Sequence, residues 1–276
     1  MNGGAAGGVI QIGWQGLALA TIFVVFVGIV SIRMSLGITK DLAIATVRTY
    51  AQLIALGFVL RWVFGINNPW LVVAIILLMV LFAAQIIVKR SPDAPRGIFG
   101  SAFIAMALTG FLVTFAVTGV IVQVKPWYLP QYVIPLAGMV LGNSMTGIAL
   151  AIERVYADFD ARADEILALT ALGATPWEAA HGTVRDALRA GLIPTINSMA
   201  AAGLVFIPGM MAGQILAGAD PVTATGYQIV VMLMVAAATA LGSLVALLLT
   251  YQRRFTPDGT FLEKGFRRKS EAKGRR

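Results

Sequence analysis

Seven stretches of this sequence are each long and apolar enough to cross a lipid bilayer, and they constrain the fold more than any other feature. A membrane-spanning helix needs about 20 mostly apolar residues. The stretches that meet this requirement run approximately Gly13–Ile32, Leu42–Leu60, Pro69–Val88, Ile98–Val122, Tyr132–Ile152, Leu192–Leu216 and Tyr227–Thr250. Only 12% of the residues are charged, whereas a soluble domain carries about 25%. The sequence therefore predicts an all-α polytopic membrane protein with about seven transmembrane helices.

The positions of the basic residues predict the orientation of these helices. Lysine and arginine concentrate in the cytoplasmic loops of membrane proteins. With seven spans, eighteen of the 21 basic residues fall on one side and two on the other, while Arg48 lies inside a span. We therefore expect the N-terminus outside and the C-terminus in the cytoplasm, in the cell inner (plasma) membrane. Residues 1–252 form the expected transmembrane domain, and residues 253–276 form a basic cytoplasmic tail that is predicted to be disordered and to face anionic lipid.

One loop is longer than the others and has its own predicted structure. In Glu153–Gly191 the apolar spacing becomes that of amphipathic helices. Gly173 is a suitable end for a helix over Ala161–Leu172. Thr175 followed by Pro176 and by Glu178 three residues on is typical of a capping box at the start of a second helix. We expect two short cytoplasmic helices joined by a tight turn.

This turn is the sharpest functional signal in the chain. A short helix with a glycine hinge, held just below the bilayer, suits docking into a groove on another subunit. The predicted docking residues are Glu165, Leu172, Gly173, Ala174, Thr175, Pro176 and Trp177. The alternative is an amphipathic helix that lies on the membrane surface.

Several motifs of catalysis and energy conversion are missing from the sequence. The chain has no cysteine, a single histidine and no phosphate-binding loop, and it has no hydrolase or zinc-protease motif. We therefore predict no catalytic residue, no metal site, no cofactor and no enzymatic activity. No aromatic residues alternate with the basic ones as in nucleic-acid binders, so no nucleic acid partner is expected. Energy for any transport must come from a partner or an ion gradient.

Polar or irregular positions inside the predicted spans are candidates for a pathway or a hinge. Proline removes a backbone hydrogen bond from a helix, and buried polar or charged groups are costly in lipid unless they are paired. The candidates are Arg48, Gln52, Asn143, Pro208, Gly209, Met210, Met211 and Gln214. Pro208 and Gly209 favour a hinge in the sixth span. The two methionines could bind a soft metal or simply fill gaps in the core, and Arg48 could either act in function or reach the interface beside Asp41 or Glu153.

Three segments together resemble a known family. They are the Arg48-Thr-Tyr-Ala-Gln-Leu element, Pro135–Val155, and Ile207–Pro221 with its Pro-Gly-Met-Met-x-Gly-Gln run. They are similar to the Fet-type iron-export permeases, a family that was long grouped as uncharacterised and includes plant aluminium-tolerance proteins. The resemblance covers nearly the whole chain except the first dozen residues and the tail. It implies the permease subunit of an ATP-binding-cassette transporter that exports iron or a related metal, with two permeases and two separate ATPase subunits.

The residues themselves leave other function classes open. The turn around Gly173 only partly matches the coupling segment of cassette importers, because Glu165 precedes Gly173 by eight residues rather than six. An ion-driven secondary transporter would need acidic residues inside the spans, and the clear spans contain none. A membrane scaffold that merely recruits a partner is the third possibility. A complexed substrate is at least as compatible with these spans as a bare ion.

Overall fold

Nine α-helices make up most of the computed structural model, which describes residues 12–91, 94–95 and 97–262. They are α1 (Trp14–Arg33), α2 (Thr39–Val63), α3 (Pro69–Arg90), α4 (Ile98–Ala116), α5 (Pro130–Ala161), α6 (Ala163–Ala171), α7 (Pro176–Ala201), α8 (Gly209–Leu216) and α9 (Pro221–Thr250). A π-helical turn at Val117–Ile121 extends α4, and a 3-10 turn at Tyr251–Arg254 extends α9.

Six of the described helices are long and apolar enough to cross a membrane, namely α1 to α5 and α9. No named strand occurs in the described residues. The prediction of an all-α, multi-pass membrane protein is therefore confirmed. The side of the membrane on which each terminus lies stays a prediction.

The sixth predicted span, Leu192–Leu216, is interrupted, as its Pro208-Gly209 pair indicates, but the interruption begins earlier than expected. Helix α7 ends at Ala201, and α8 begins only at Gly209. Ala202 is extended, and Gly203 has a φ of +79° that favours glycine. The Gly203 N–H donates to the Phe206 carbonyl at 2.9 Å. The helix break therefore covers residues 202–208 and is wider than the Pro208-Gly209 interruption expected from the sequence.

The expected separation between a short cytoplasmic helix and the sixth span is also wrong. Helix α7 runs without interruption from Pro176 to Ala201 and contains Pro194 in its interior. Its Trp177 ring lies 5.5 Å from the ring of Tyr251, just after α9. At the other end of this segment, Met210 packs against a core cluster that includes Val231 and Met234. Helix α7 and the segment that follows it therefore pack against α9 at both of these levels.

The chain divides into two compact units. The first contains α1, α2 and residues 212–220, and the second contains residues 68–211 and 221–262. In the first unit, the Tyr50 hydroxyl on α2 donates to the Leu17 carbonyl on α1 at 2.8 Å. In the second unit, α5 packs against α3, α4, α7 and α9. Its buried residues include Ala137, Val140 and Ile148, so α5 is the central helix of this unit.

The first part of the predicted tail, residues 253–262, packs against the end of α5. Arg254 is only 1% exposed, and its guanidinium donates to Asp160 and, at 3.1 Å, to the Leu262 carbonyl. The rings of Phe255 and Phe261 lie 6.4 and 5.9 Å from the ring of Phe159. The rest of the predicted tail, residues 263–276, lies outside the described residues. The sequence did not predict this packing, because residues 253–262 follow the last apolar span and carry two adjacent arginines.

Candidate functional site

The turn between α6 and α7 has the local structure that its sequence predicts. Gly173 has a φ of +92°, which glycine adopts without strain. The Ala174 N–H donates to the Leu169 carbonyl at 3.0 Å, and the Gly173 N–H donates to the Thr170 carbonyl at 3.1 Å. This is a Schellman motif, which satisfies carbonyls at a helix end. Gly173 therefore ends α6, as predicted. We call residues 163–180 the coupling hairpin.

Thr175 and Glu178 form the predicted capping box at the start of α7. The Glu178 N–H donates to the Thr175 hydroxyl at 3.3 Å, and the Thr175 N–H donates to the Glu178 carboxylate at 2.8 Å. The Thr175 hydroxyl donates to the same carboxylate oxygen at 2.7 Å. These hydrogen bonds from Thr175, first from its N–H and then from its hydroxyl, lower the pKa of Glu178 below its ordinary value of 4.5. The start of α7 is thus fixed by local contacts.

Glu165 stabilises the start of α6. Both of its carboxylate oxygens accept hydrogen bonds from the Arg162 guanidinium, each at 2.8 Å. These bonds lower the pKa of Glu165 and raise the pKa of Arg162. Ile166, which follows one residue later, is 1% exposed and anchors α6 to the rest of the unit. The start of α6 is therefore held in place by this ion pair and by the burial of Ile166.

The tip of the coupling hairpin presents an apolar side chain to its surroundings. Leu172 is 86% exposed. Trp177 lies farther back, where its ring contacts the rings of His181 at 5.2 Å and Tyr251 at 5.5 Å. A groove of about 500 Å³ separates the turn from the C-terminal segment and is lined by residues such as Gly173, Pro176 and Gly259. The hairpin and the C-terminal segment therefore share one surface.

A second feature of the same unit is a cavity of about 350 Å³ between α5, α7, α9 and the helix break. Its lining residues are Met139, Asn143, Thr146 and Gly147 from α5, Pro194, Thr195, Ser198 and Met199 from α7, Phe206, Pro208, Gly209 and Met210 from the break and α8, and Gln228, Val231, Met232 and Val235 from α9. Irregular backbone at membrane depth occurs where protein buries it or where it lines a cavity. The break lies at such a cavity.

Gln228 is a buried polar residue of this cavity that the sequence analysis missed. It is 7% exposed. Within the described part of the chain its buried Oε1 atom has no hydrogen-bond partner. Leaving a buried amide without a partner costs about 1–3 kcal/mol. The only sequence signal for Gln228 was that it is a polar residue within an apolar span. The apolar pattern of α9 does not indicate which face of the helix lines the cavity.

The structure brings four predicted pathway residues together and leaves the other four elsewhere. Asn143, Pro208, Gly209 and Met210 line the cavity. Asn143 is exposed, and its Nδ2 atom donates to the Met139 carbonyl at 2.7 Å. The Met211 sulfur accepts from the Thr225 hydroxyl at 3.9 Å and does not line the cavity. Arg48, Gln52 and Gln214 belong to the first unit.

Arg48 and Gln52 both lie on exposed positions of α2. Asp41, one of the two residues named as possible neighbours of Arg48 at the interface, forms no salt bridge with it among the described residues. No group of three or more His, Asp or Glu residues that could hold a metal ion occurs in the described ranges. The chemistry available at the cavity is thus that of amides, hydroxyls, thioethers and backbone groups.

Comparison with known proteins agrees with this architecture. A family model described as "Uncharacterised protein family (UPF0014)" matches residues 14–255, which is nearly the whole transmembrane region. The chain belongs to this family. The resemblance inferred from the three sequence segments is thereby confirmed.

Relatives of the chain come from bacteria and plants. A protein of Bacillus subtilis, UPF0014 membrane protein YjkA, is 36% identical over 87% of this chain and 94% of its own length. The probable iron export permease protein FetB of Escherichia coli is 36% identical over 87% of this chain and 91% of its own length. Protein ALUMINUM SENSITIVE 3 of Arabidopsis thaliana is 31% identical over 87% of this chain and 86% of its own length. No solved structure matches the chain.

Proposed function

We propose that this UPF0014 protein is the membrane-spanning permease subunit of an ATP-binding-cassette transporter that exports iron or a related metal or metal complex. A separate ATPase subunit hydrolyses ATP, and two permeases assemble with two ATPases in the cell inner membrane. The chain has no phosphate-binding loop of its own. The name of the Escherichia coli relative supports the direction of transport and the substrate.

The observation that carries the proposal is the continuity of α7. The helix begins at the capping box of the coupling hairpin and ends at the cavity, where Pro194, Ser198 and Met199 line the wall. Its 26 residues correspond to a length of about 39 Å. A movement imposed on the hairpin is therefore carried along one continuous helix to the helix break.

The coupling hairpin itself supports docking of a partner rather than attachment to lipid. Its turn is fixed by the Schellman motif and by the capping box, so little conformational entropy is lost when a partner binds. Leu172 projects from the tip with 86% of its surface exposed. A single exposed leucine on a preorganised turn suits an apolar pocket on the ATPase.

The cavity is the substrate path in this proposal. It lies at a discontinuous helix, as binding sites of many transporters do. In the ATP-driven cycle the ATPase shifts the coupling hairpin and α7, and the break at 202–208 absorbs the change in backbone angles. No acidic residue is among the described residues that line the cavity, which disfavours a carrier driven by proton or sodium binding there.

Purification of the tagged full-length chain from mild detergent tests the proposal. We expect a stoichiometric ATP-binding-cassette ATPase, identified by mass spectrometry, to be present in the eluate together with ATP hydrolysis. An intact, monodisperse permease without any ATPase would contradict the proposal and would favour an ion-driven carrier or a scaffold.

A further inference from the structure

The chemistry of the cavity narrows the class of substrate. We infer that it takes a polyatomic species without net positive charge, such as a metal complex whose own ligands neutralise the metal, and that Gln228 hydrogen-bonds this species. The inference rests on the proposed function only in taking the cavity as the substrate path. It concerns what binds there, whichever energy source drives the movement.

The size of the cavity favours a polyatomic ligand. Its volume of about 350 Å³ is within the range of small-molecule sites, which begins near 300 Å³. One water molecule occupies about 30 Å³ of liquid, so a bare ion would fill only a small part of this space. The lining residues come from α5, α7, α9 and the break with the start of α8, so they surround a ligand on several sides.

The charge around the cavity disfavours a free metal cation. None of the lining side chains is charged. The guanidinium of Arg90 lies next to the wall, with Nη1 3.5 Å from the Thr146 hydroxyl. A cation in a membrane interior needs anionic or many oxygen ligands to replace its water. The lining offers no carboxylate, and a positive group stands beside it.

The methionines of the lining fit the same class of ligand. Met139, Met199, Met210 and Met232 contribute four thioethers from four different segments. Thioethers are soft ligands and bind hard cations such as ferric iron poorly. Their flexible, polarizable chains adapt well to the apolar faces of an organic ligand. They therefore complement the outside of a complex better than the metal itself.

Gln228 supplies the polar contact. Its Oε1 atom makes no hydrogen bond to a described residue, although the residue is 93% buried, as its 7% exposure implies. Buried amides are nearly always paired. Because the Oε1 atom itself is buried, the carboxamide must turn toward the cavity for a ligand with an N–H or O–H donor to restore the missing bond. The backbone N–H groups of Gly209 and Met210 start α8 at the same cavity. A helix N-terminus favours an acceptor with partial negative charge.

Binding to the purified full-length permease in detergent tests the inference without any ATPase. The probes are the neutral complex tris(acetohydroxamato)iron(III) and, separately, Fe²⁺ alone under anaerobic conditions, followed by equilibrium dialysis. We expect saturable binding of the neutral complex at one site per chain and no competition by Fe²⁺. The substitution Gln228→Leu is expected to weaken binding about tenfold, the effect of one lost hydrogen bond to a buried group.

Two further variants keep the test decisive. Gln85→Leu makes the same chemical change on an exposed position of α3 that does not line the cavity, and it should leave binding unchanged. Ser198→Leu fills the exposed side of the cavity without disturbing the core, and it should also weaken binding. It therefore replaces Gln228→Leu as the test should that variant fail to fold. Saturable binding of Fe²⁺ alone, no binding of the neutral complex, or binding insensitive to both cavity variants would overturn the inference. A permease that binds the complex but copurifies with no ATPase would contradict the proposed energy source and leave the substrate inference standing.

Discussion

Gly147 on α5 and Gly191 on α7 bring the two helices into direct backbone contact. A Cβ atom at Gly147 would lie 2.8 Å from the Gly191 carbonyl oxygen and would also clash with the Thr239 Cγ2 atom. A Cβ atom at Gly191 would lie 2.7 Å from the Gly147 carbonyl oxygen. Small residues allow such close approach between helices in membranes. The contact lies at the edge of the cavity, since Gly147 is one of its lining residues, and it packs α7 closely against the central helix.

The first prediction concerns this contact. Gly147→Ala should lower the free energy of unfolding by about 1–3 kcal/mol, because the added methyl group has no space and α5 and α7 must separate. Thermal unfolding of the detergent-solubilised protein measures the change. Gly142→Ala on the same helix is the matched control, since no atom lies within 4 Å of a Cβ built there. Equal melting temperatures for the two variants would show that the close contact is absent.

The second prediction concerns the exposed tip of the coupling hairpin. Leu172→Ser should change the stability of the isolated permease by less than about 0.5 kcal/mol, because the side chain contacts little of its own chain. It should weaken binding of the ATPase subunit about tenfold, since buried apolar anchors dominate such interfaces. Titration of the ATPase onto immobilised permease measures the affinity. Leu112→Ser, on an exposed position of α4, is the control; if it weakened binding equally, the hairpin would not be the docking surface.

The third prediction concerns the pH dependence of the capping box. The pKa of Glu178 is lower in the folded hairpin than its ordinary value of 4.5. The cap therefore contributes fully to the free energy of unfolding above about pH 4.5. This contribution is lost as the pH falls through the lower pKa of the folded state. NMR titration of the Glu178 carboxyl carbon should give a midpoint below 4.5. Thr175→Val should raise the midpoint only part of the way, because the backbone N–H of residue 175 still donates. A midpoint unaffected by this variant would contradict the geometry of the cap.

The fourth prediction concerns the C-terminal segment. Arg254→Met should destabilise the protein by about 3 kcal/mol, the lower end for a broken buried ion pair, because the Asp160 side chain is 27% exposed and keeps access to water. The Arg254 guanidinium also lies 5.7 Å from the Tyr156 ring and 5.8 Å from the Phe261 ring. Chemical denaturation of the two variants Arg254→Met and Arg253→Met measures the difference. Arg253 is exposed, so Arg253→Met should have little effect on stability. A similar loss of stability in both variants would show that the Arg254–Asp160 ion pair does not anchor the C-terminal segment.

Local sequence signals predicted the local structure well. The apolar stretches predicted the membrane helices, because a bilayer requires a fixed length of apolar helix. Gly173 and the Thr175–Glu178 pair predicted the turn, because helix ends are decided by a few neighbouring residues. These features need no knowledge of the rest of the fold.

Features that depend on tertiary packing were not visible in the sequence. The amphipathic spacing within Glu153–Gly191 suggested a separate short helix before the sixth span, although a helix continues when no residue stops it. Residues 253–262 appeared to be a solvated tail, and only the positions of Asp160 and Phe159 on α5 reveal why Arg254 is buried. The cavity was foreseen in part through Asn143 and Pro208, whereas Gln228 and Pro194 need the packing of three helices to be recognised.

The measurement that tests the account most directly is flux into sealed proteoliposomes that contain the permease together with its ATPase subunit. Iron is supplied both as Fe²⁺ and as the neutral hydroxamate complex, and movement is followed with and without ATP and with a protonophore. We predict movement that requires ATP, survives the protonophore and is lost when the ATPase is omitted. Movement driven by a proton or sodium gradient without ATP would contradict the account, and so would the absence of any movement in the complete assembly.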